Sequence, residues 1–365
     1  RLRNKWLALM SLLLIFWLYE WLDLWASPAL TAWVAVAYFV AAFALEAFFA
    51  ESPFCKYVCP LGAFNFVHST ISPLQITEVD REVCRTCPGK ECVNGSGETL
   101  GCGTELFVPT MRSNLDCILC LDCARACPYD NVALTVRKPL AELVDTRQRY
   151  RPDLVMLVGA LTFISLSNAF AMVPPVYDLQ AWLLQSVGIQ SEAVRVGLYF
   201  LVTGVVMPAL AIGLAAAACR WVKPLKGWSL AKLAGYFVPA LIPLGFGIWL
   251  GHYGFHFITG GLTIIPVLQS FVLDHGLQFL GDAPNWGVGF LLPLEWIFPL
   301  QVVSVFIGFL AGLVVLARRS LKLLPQPVQA LLALLPWALL LTLLTIASLS
   351  IFSLPMEMRG APPGV

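Results

Sequence analysis

"CILCLDCARACP", residues 117–128, places Cys117, Cys120, Cys123 and Cys127 on one short stretch and closes it with Pro128. Upstream, "CRTCPGKECVNGSGETLGC" carries Cys84, Cys87, Cys92 and Cys102, so most of the chain's 11 cysteines fall in one segment. Thiols scattered along a chain read as a disulfide framework. Thiols gathered this tightly read as a metal site in a reducing compartment. The segment that holds them, residues 74–150, is polar, and the chain on both sides of it is not.

The whole sequence is 59% hydrophobic and 12% charged with a mean hydropathy of +0.78, a balance that a soluble globular domain does not have. A net charge of +1 supplies no surplus of clustered Lys and Arg for a phosphate backbone, so nucleic acid is not an expected partner. Helices of about 20 apolar residues are needed to cross a bilayer core. The sequence offers about seven such stretches, over 5–25, 30–50, 153–173, 194–218, 230–250, 296–316 and 329–352. The fold expected is mainly α: a polytopic membrane bundle of about seven spans with a small α+β unit inserted after the second. Three parts follow: residues 1–73, the insert 74–150, and residues 151–365.

Lys and Arg gather on the cytoplasmic side of membrane proteins. Arg1, Arg3 and Lys5 precede the first span, Lys56 and the insert follow the second, Arg220 to Lys232 follow the fourth, and Arg318 to Lys322 follow the sixth. Residues 251–295 contain no Lys or Arg. With seven spans all the basic groups share one side, which makes the insert cytoplasmic and the membrane the inner one. Residues 257–292 would then be a re-entrant or interfacial segment, and "DLQAWLLQSVG", residues 178–188, an amphipathic helix on the outer surface. The sequence opens on Arg1 without a methionine, which leaves any targeting signal unread.

The C-x2-C-x2-C-x3-C-P run of residues 117–128 is that of a bacterial [4Fe–4S] ferredoxin. Three thiolates on a tight loop each reach a different iron of one cube, and the fourth points away toward a second. Zinc would want two separated C-x2-C knuckles and no trailing proline. Under the crossing rule of two-cluster ferredoxins, Cys84, Cys87, Cys92 and Cys127 hold one cube and Cys117, Cys120, Cys123 and Cys102 the other. Uncrossed ligation uses the same eight residues, and both patterns stay open.

"FCKYVCPLGAF", residues 54–64, ends the second span with Cys55 and Cys59 at i, i+4, on one helical face. "CRWVKPLKG" ends the fourth span in the same shape, with Lys223 where a second cysteine would stand before Pro224. With these motifs beside the ferredoxin run, the chain resembles the NapH/NosR/CcoG class of membrane ferredoxins over residues 30–225. The class motif falls fully on Cys55, Cys59 and Pro60, and partly on Cys219 and Pro224. The resemblance implies electron transfer between membrane and soluble redox partners, with quinol a frequent donor. Three readings of the extra thiols stand side by side: small buried side chains, a third metal centre or redox pair formed by Cys55, Cys59 and Cys219, and a Cys55–Cys59 disulfide that a reducing compartment disfavours.

His252 and His256 share a helical face at the outer end of the fifth span, and a b-type haem would need His275 or another subunit across its plane. Histidines at the membrane interface, bonded to water, backbone or a partner, are the expectation, so haem is not expected. Glu20, Asp23 and Glu46 lie in or near the first two spans, where ionisable groups are costly, and Glu46, before Cys55, is the candidate proton acceptor beside a quinone site. The functional expectation is an electron-transfer subunit of a membrane redox complex with two [4Fe–4S] clusters. The alternatives are a copper or thiol reductase working through Cys55 and Cys59, and a redox-sensing assembly or regulatory protein.

Overall fold

The computed structural model describes residues 4–50, 52–97, 99–147 and 150–355, so Arg1 and Arg3 of the basic pattern lie outside the described residues. The chain is mainly helical, and among the described residues six helices are long and apolar enough to cross a membrane. These are α2 (Pro28–Phe48), α4 (Pro152–Phe170), α6 (Glu192–Cys219), α7 (Leu230–Gly260), α9 (Leu294–Leu323) and α10 (Pro327–Phe352). The first stretch forms a shorter helix than the composition predicts. α1 covers Trp6–Trp21, 16 residues, or about 24 Å of rise against a core of about 30 Å. It stops because Leu22–Ala26 turn, with Asp23 in the left-handed region at φ 46, and Pro28 opens the next helix.

The helix α7 runs past residue 250, where the composition ends it, and carries His252 and His256 inside its last turns. The following segment makes no further long helix. It contains α8 (Ile264–Asp274), of 11 residues, and no other helix until Leu294. The predicted amphipathic helix is present as α5 (Pro175–Gln185).

The core lies where α4, α7, α9 and α10 meet, around the fully buried Leu157, Leu161, Ile164, Leu241, Ile242 and Trp337. In lipid no hydrophobic gain separates helix from helix, so small residues that let backbones close in decide the packing. A Cβ built on Gly308 would lie 2.5 Å from the Pro243 carbonyl, and one on Gly312 2.7 Å from that of Ala240. No side chain larger than hydrogen fits at this crossing. α1 packs against α4, α6 and α3 (Pro60–His68). By contrast, no residue of α2 is buried.

The insert leaves α3 through β1 (Leu74–Glu78) and returns through β2 (Val132–Val136), paired antiparallel from Leu74↔Val136 to Glu78↔Val132. All eight clustered cysteines lie between these strands, on loops and helices of four to six residues. A small core of Ile76, Cys92, Val108, Cys123 and Val132, separate from that of the bundle, closes the unit.

Candidate functional site

The cysteines of the insert sort into two hollows. Cys84, Cys87, Cys92 and Cys127 line one, with Phe107 and Asn131; Cys102, Cys117, Cys120 and Cys123 line the other, with Ile76 and Met111. The hollows are nearly equal, about 300 and about 310 Å³ including the part open to solvent. The partition crosses the sequence: Cys127 turns away from its own run to the upstream three, and Cys102 joins the downstream three. Two leucines make the second loop turn. Leu119 and Leu121 adopt φ 54 and 67, a left-handed backbone that a branched residue enters at a cost.

Donors point at the sulfurs. The Leu106 amide donates to Cys102 Sγ at 3.3 Å, and Asn131 donates from its backbone to Cys127 Sγ at 3.4 Å and from Nδ2 to Cys84 Sγ at 3.2 Å. The Asn131 bond pulls the Cys84 thiol down. Burial works the other way: it raises the thiols of Cys84, Cys92, Cys117 and Cys120, and pushes Cys123, crowded further by Cys102, Cys117 and Cys120, up to about 12. A ligand entering either hollow therefore has to displace protons. Among the described residues no group of three His, Cys, Asp or Glu side chains converges on a point as a single metal ion requires. A cubane needs its four thiolates apart, one to each iron, and the donor set of each hollow, four cysteines, fits it.

Cys55 and Cys59 sit on a π-type turn (Phe54–Val58) and at the cap of α3. Cys59 is buried and lies 2.6 Å from the Tyr38 hydroxyl of α2, and it accepts from the Gly62 amide at 3.0 Å. Burial raises the Cys55 thiol, and the charges of Cys59 and Glu46 add to the rise, which places exposed Glu46 near the pair. Cys219 points elsewhere. It is fully buried in the bundle and donates to the Ala333 carbonyl of α10 at 3.2 Å, and no contact brings it to Cys55 or Cys59. The turn depends on Gly62, whose Cβ would stand 2.2 Å from the Cys55 carbonyl oxygen. Gly62→Ala is expected to cost about 1–3 kcal/mol through overpacking against backbone. A thermal melt in detergent that matches the parent chain would refute this.

His252 is fully buried within the protein, with its Nε2 2.9 Å from Asn168 Nδ2 and the His256 ring 4.9 Å away. α7 continues beyond residue 250, and Asn168 of α4 and Gln301 of α9 meet it at His252 and at the Gly251 carbonyl. His275 lies exposed at the end of α8 and bonds the Phe271 carbonyl at 2.7 Å, with no contact to the other two. Glu20 is buried in α1 near Tyr19, Tyr199 and Tyr253.

Sequence reading missed the seam that fastens the insert to the bundle. Buried Lys5 donates its ammonium to Asp116 and to the Lys56 carbonyl, and its backbone amide to Asp153 at 2.8 Å. Buried Lys56 donates to the Thr104 carbonyl at 2.8 Å. Arg137 pairs with Glu142 at 2.5 Å, while Arg319 of α9 donates to the Leu143 and Asp145 carbonyls at 2.7 and 3.1 Å. Only Lys56 carried a usable signal, its place inside the C-x3-C-P motif.

No protein-family model, curated protein or solved structure matches the chain.

Proposed function

We propose that the chain is a membrane-embedded electron-transfer subunit whose insert holds two [4Fe–4S] clusters, one on Cys84, Cys87, Cys92 and Cys127 and one on Cys117, Cys120, Cys123 and Cys102. The observation that carries this reading is the sorting of eight cysteines into two hollows, four to each. When bound, such clusters supply one-electron transfer with little movement of atoms. The chain's own part is to hold the thiolates by backbone and Asn131 N–H groups, to bury them in the small core, and to fix the insert against the bundle through Lys5, Lys56 and Arg319. A quinone or a further subunit of a redox complex is the proposed membrane-side partner, with Glu46 near Cys55 as the proton acceptor, and the basic loops argue for an insert on the cytoplasmic face of the inner membrane. The resemblance to NapH/NosR/CcoG-type chains points the same way.

Chain purified without oxygen is expected to carry about eight iron and about eight acid-labile sulfide. Colourless protein lacking labile sulfide would end the reading. A second reading has its own observation: Cys59, capping α3 and met by Tyr38 and Gly62, is placed to serve a metal-ion or thiol reductase. Copper-dependent oxidation of the loaded chain that is lost in Cys59→Ala, with no partner present, would favour it.

A further inference from the structure

The two hollows differ in their charged surroundings. The second rests on the bundle side: Gly103 lies against Ser52, Lys56 reaches Thr104 two residues from Cys102, and Lys5 pairs with Asp116 next to Cys117. Lys5 and Asp116 offset each other, and Asp153, which accepts from the Lys5 amide, is paired with Arg151 at 2.9 Å. Lys56 is different. It is 7% exposed, and among the described residues no carboxylate lies within ion-pair distance of its ammonium. Its contacts are the Thr104 carbonyl and the Tyr57 ring, whose centroid is 5.7 Å away.

Holding a buried ammonium without a counter-ion costs several kcal/mol. A fold keeps one where an anion completes it. A cubane on four thiolates carries net negative charge and gains another on reduction, so it fills that role only if it sits in the neighbouring hollow. Each hollow also has a carboxylate at one sulfur: Glu91 Oε2 accepts from the Cys87 thiol at 3.1 Å in the first, and Asp122, itself paired with Arg125 at 3.6 Å, faces Cys120 in the second, so the buried Lys56 is what sets the second apart.

We propose that Lys56 is the counter-charge of the Cys102, Cys117, Cys120 and Cys123 site and makes it the higher-potential of the two, so that an electron delivered to the insert rests beside the Cys55–Cys59 turn. The inference rests on the cubane reading. One electron is taken up from the reductant and no bond or proton changes place at Lys56, whose charge only stabilises the reduced state.

The test is an EPR-monitored potentiometric titration, with dithionite as reductant, of the parent chain, Lys56→Gln and Lys56→Arg. Glutamine keeps a donor for Thr104 and removes the charge; arginine keeps both. In Lys56→Gln the signal that disappears in Cys120→Ala is expected at lower potential, by about tenfold in its oxidised-to-reduced ratio, or about 59 mV for one electron, while the other signal stays. Lys56→Arg is expected to restore most of the shift. Two intact signals with unmoved midpoints, or both moving together, would overturn the role of Lys56 and leave the cubanes standing. Absence of both signals from the parent chain would instead remove the reading beneath it. Should Lys56→Gln lose its clusters, Lys56→Arg still decides: full loading at an unchanged midpoint supports the charge, and equal loss overturns it in favour of packing.

Discussion

Cys127→Ala and Cys84→Ala are expected to abolish the same EPR signal, and Cys102→Ala and Cys120→Ala the other. Each substitution removes one of four thiolates from one hollow, and a cubane short of a ligand does not persist, so each variant should keep about half the iron of the parent chain. The grouping is what matters. Cys127 stands four residues from Cys123 in sequence, yet it lines the hollow of Cys84, Cys87 and Cys92, where the backbone amide of Asn131 meets its sulfur and Nδ2 of the same residue meets that of Cys84. Asn131 thus ties the end of one run to the start of the other. If Cys127→Ala loses the signal that Cys120→Ala loses, the ligation is uncrossed and the pairing described here is wrong.

The second large effect concerns the Arg137–Glu142 pair. Both side chains are out of solvent, at 9% and 0% exposure, and Glu142 also accepts from Ser113 and from the Asn114 amide at 3.0 Å. Arg137 in turn donates to the Ser72 carbonyl at 3.0 Å. Removing one partner leaves the other charge buried and alone. Arg137→Met or Glu142→Leu is expected to destabilise the chain by about 3–5 kcal/mol, and the double substitution by much less, because it removes both charges together. Thermal unfolding of the three variants in one detergent measures this, and single variants within about 1 kcal/mol of the parent would contradict it. Burial holds the Glu142 carboxyl above the ordinary carboxylate range despite the pull of Ser113, Asn114 and Arg137. The folded chain therefore binds that proton more tightly than the unfolded one. The contribution to stability is whole below the unfolded value and fades as pH rises through the raised one.

The sequence displayed the membrane helices and the eight thiols because both signals are local. An apolar run of span length has one solution in lipid, and a C-x2-C-x2-C-x3-C-P run allows few geometries. What it hid depends on contacts distant along the chain. Cys219 reads as a partner of Cys55 and Cys59 because the motifs match, and only the packing of α6 on α10 shows its thiol facing Ala333. The partner of His252 is Asn168, 84 residues away, which no local pattern announces. Lys5 and Asp116 are 111 residues apart, and no pattern of period two or 3.6 links them.

The pairing of β1 with β2 has a mechanical meaning. Pro73 and Arg137, the residues flanking the ladder, are themselves hydrogen-bonded at 2.7 Å, so the polypeptide leaves the bundle and comes back to it at one point. To the helices on either side, the whole excursion is equivalent to a tight hairpin. The spacing of α3 and α4 is thus set at the ladder, while residues between Glu78 and Val132 supply Asp116 and Thr104 to the buried Lys5 and Lys56 of the bundle side.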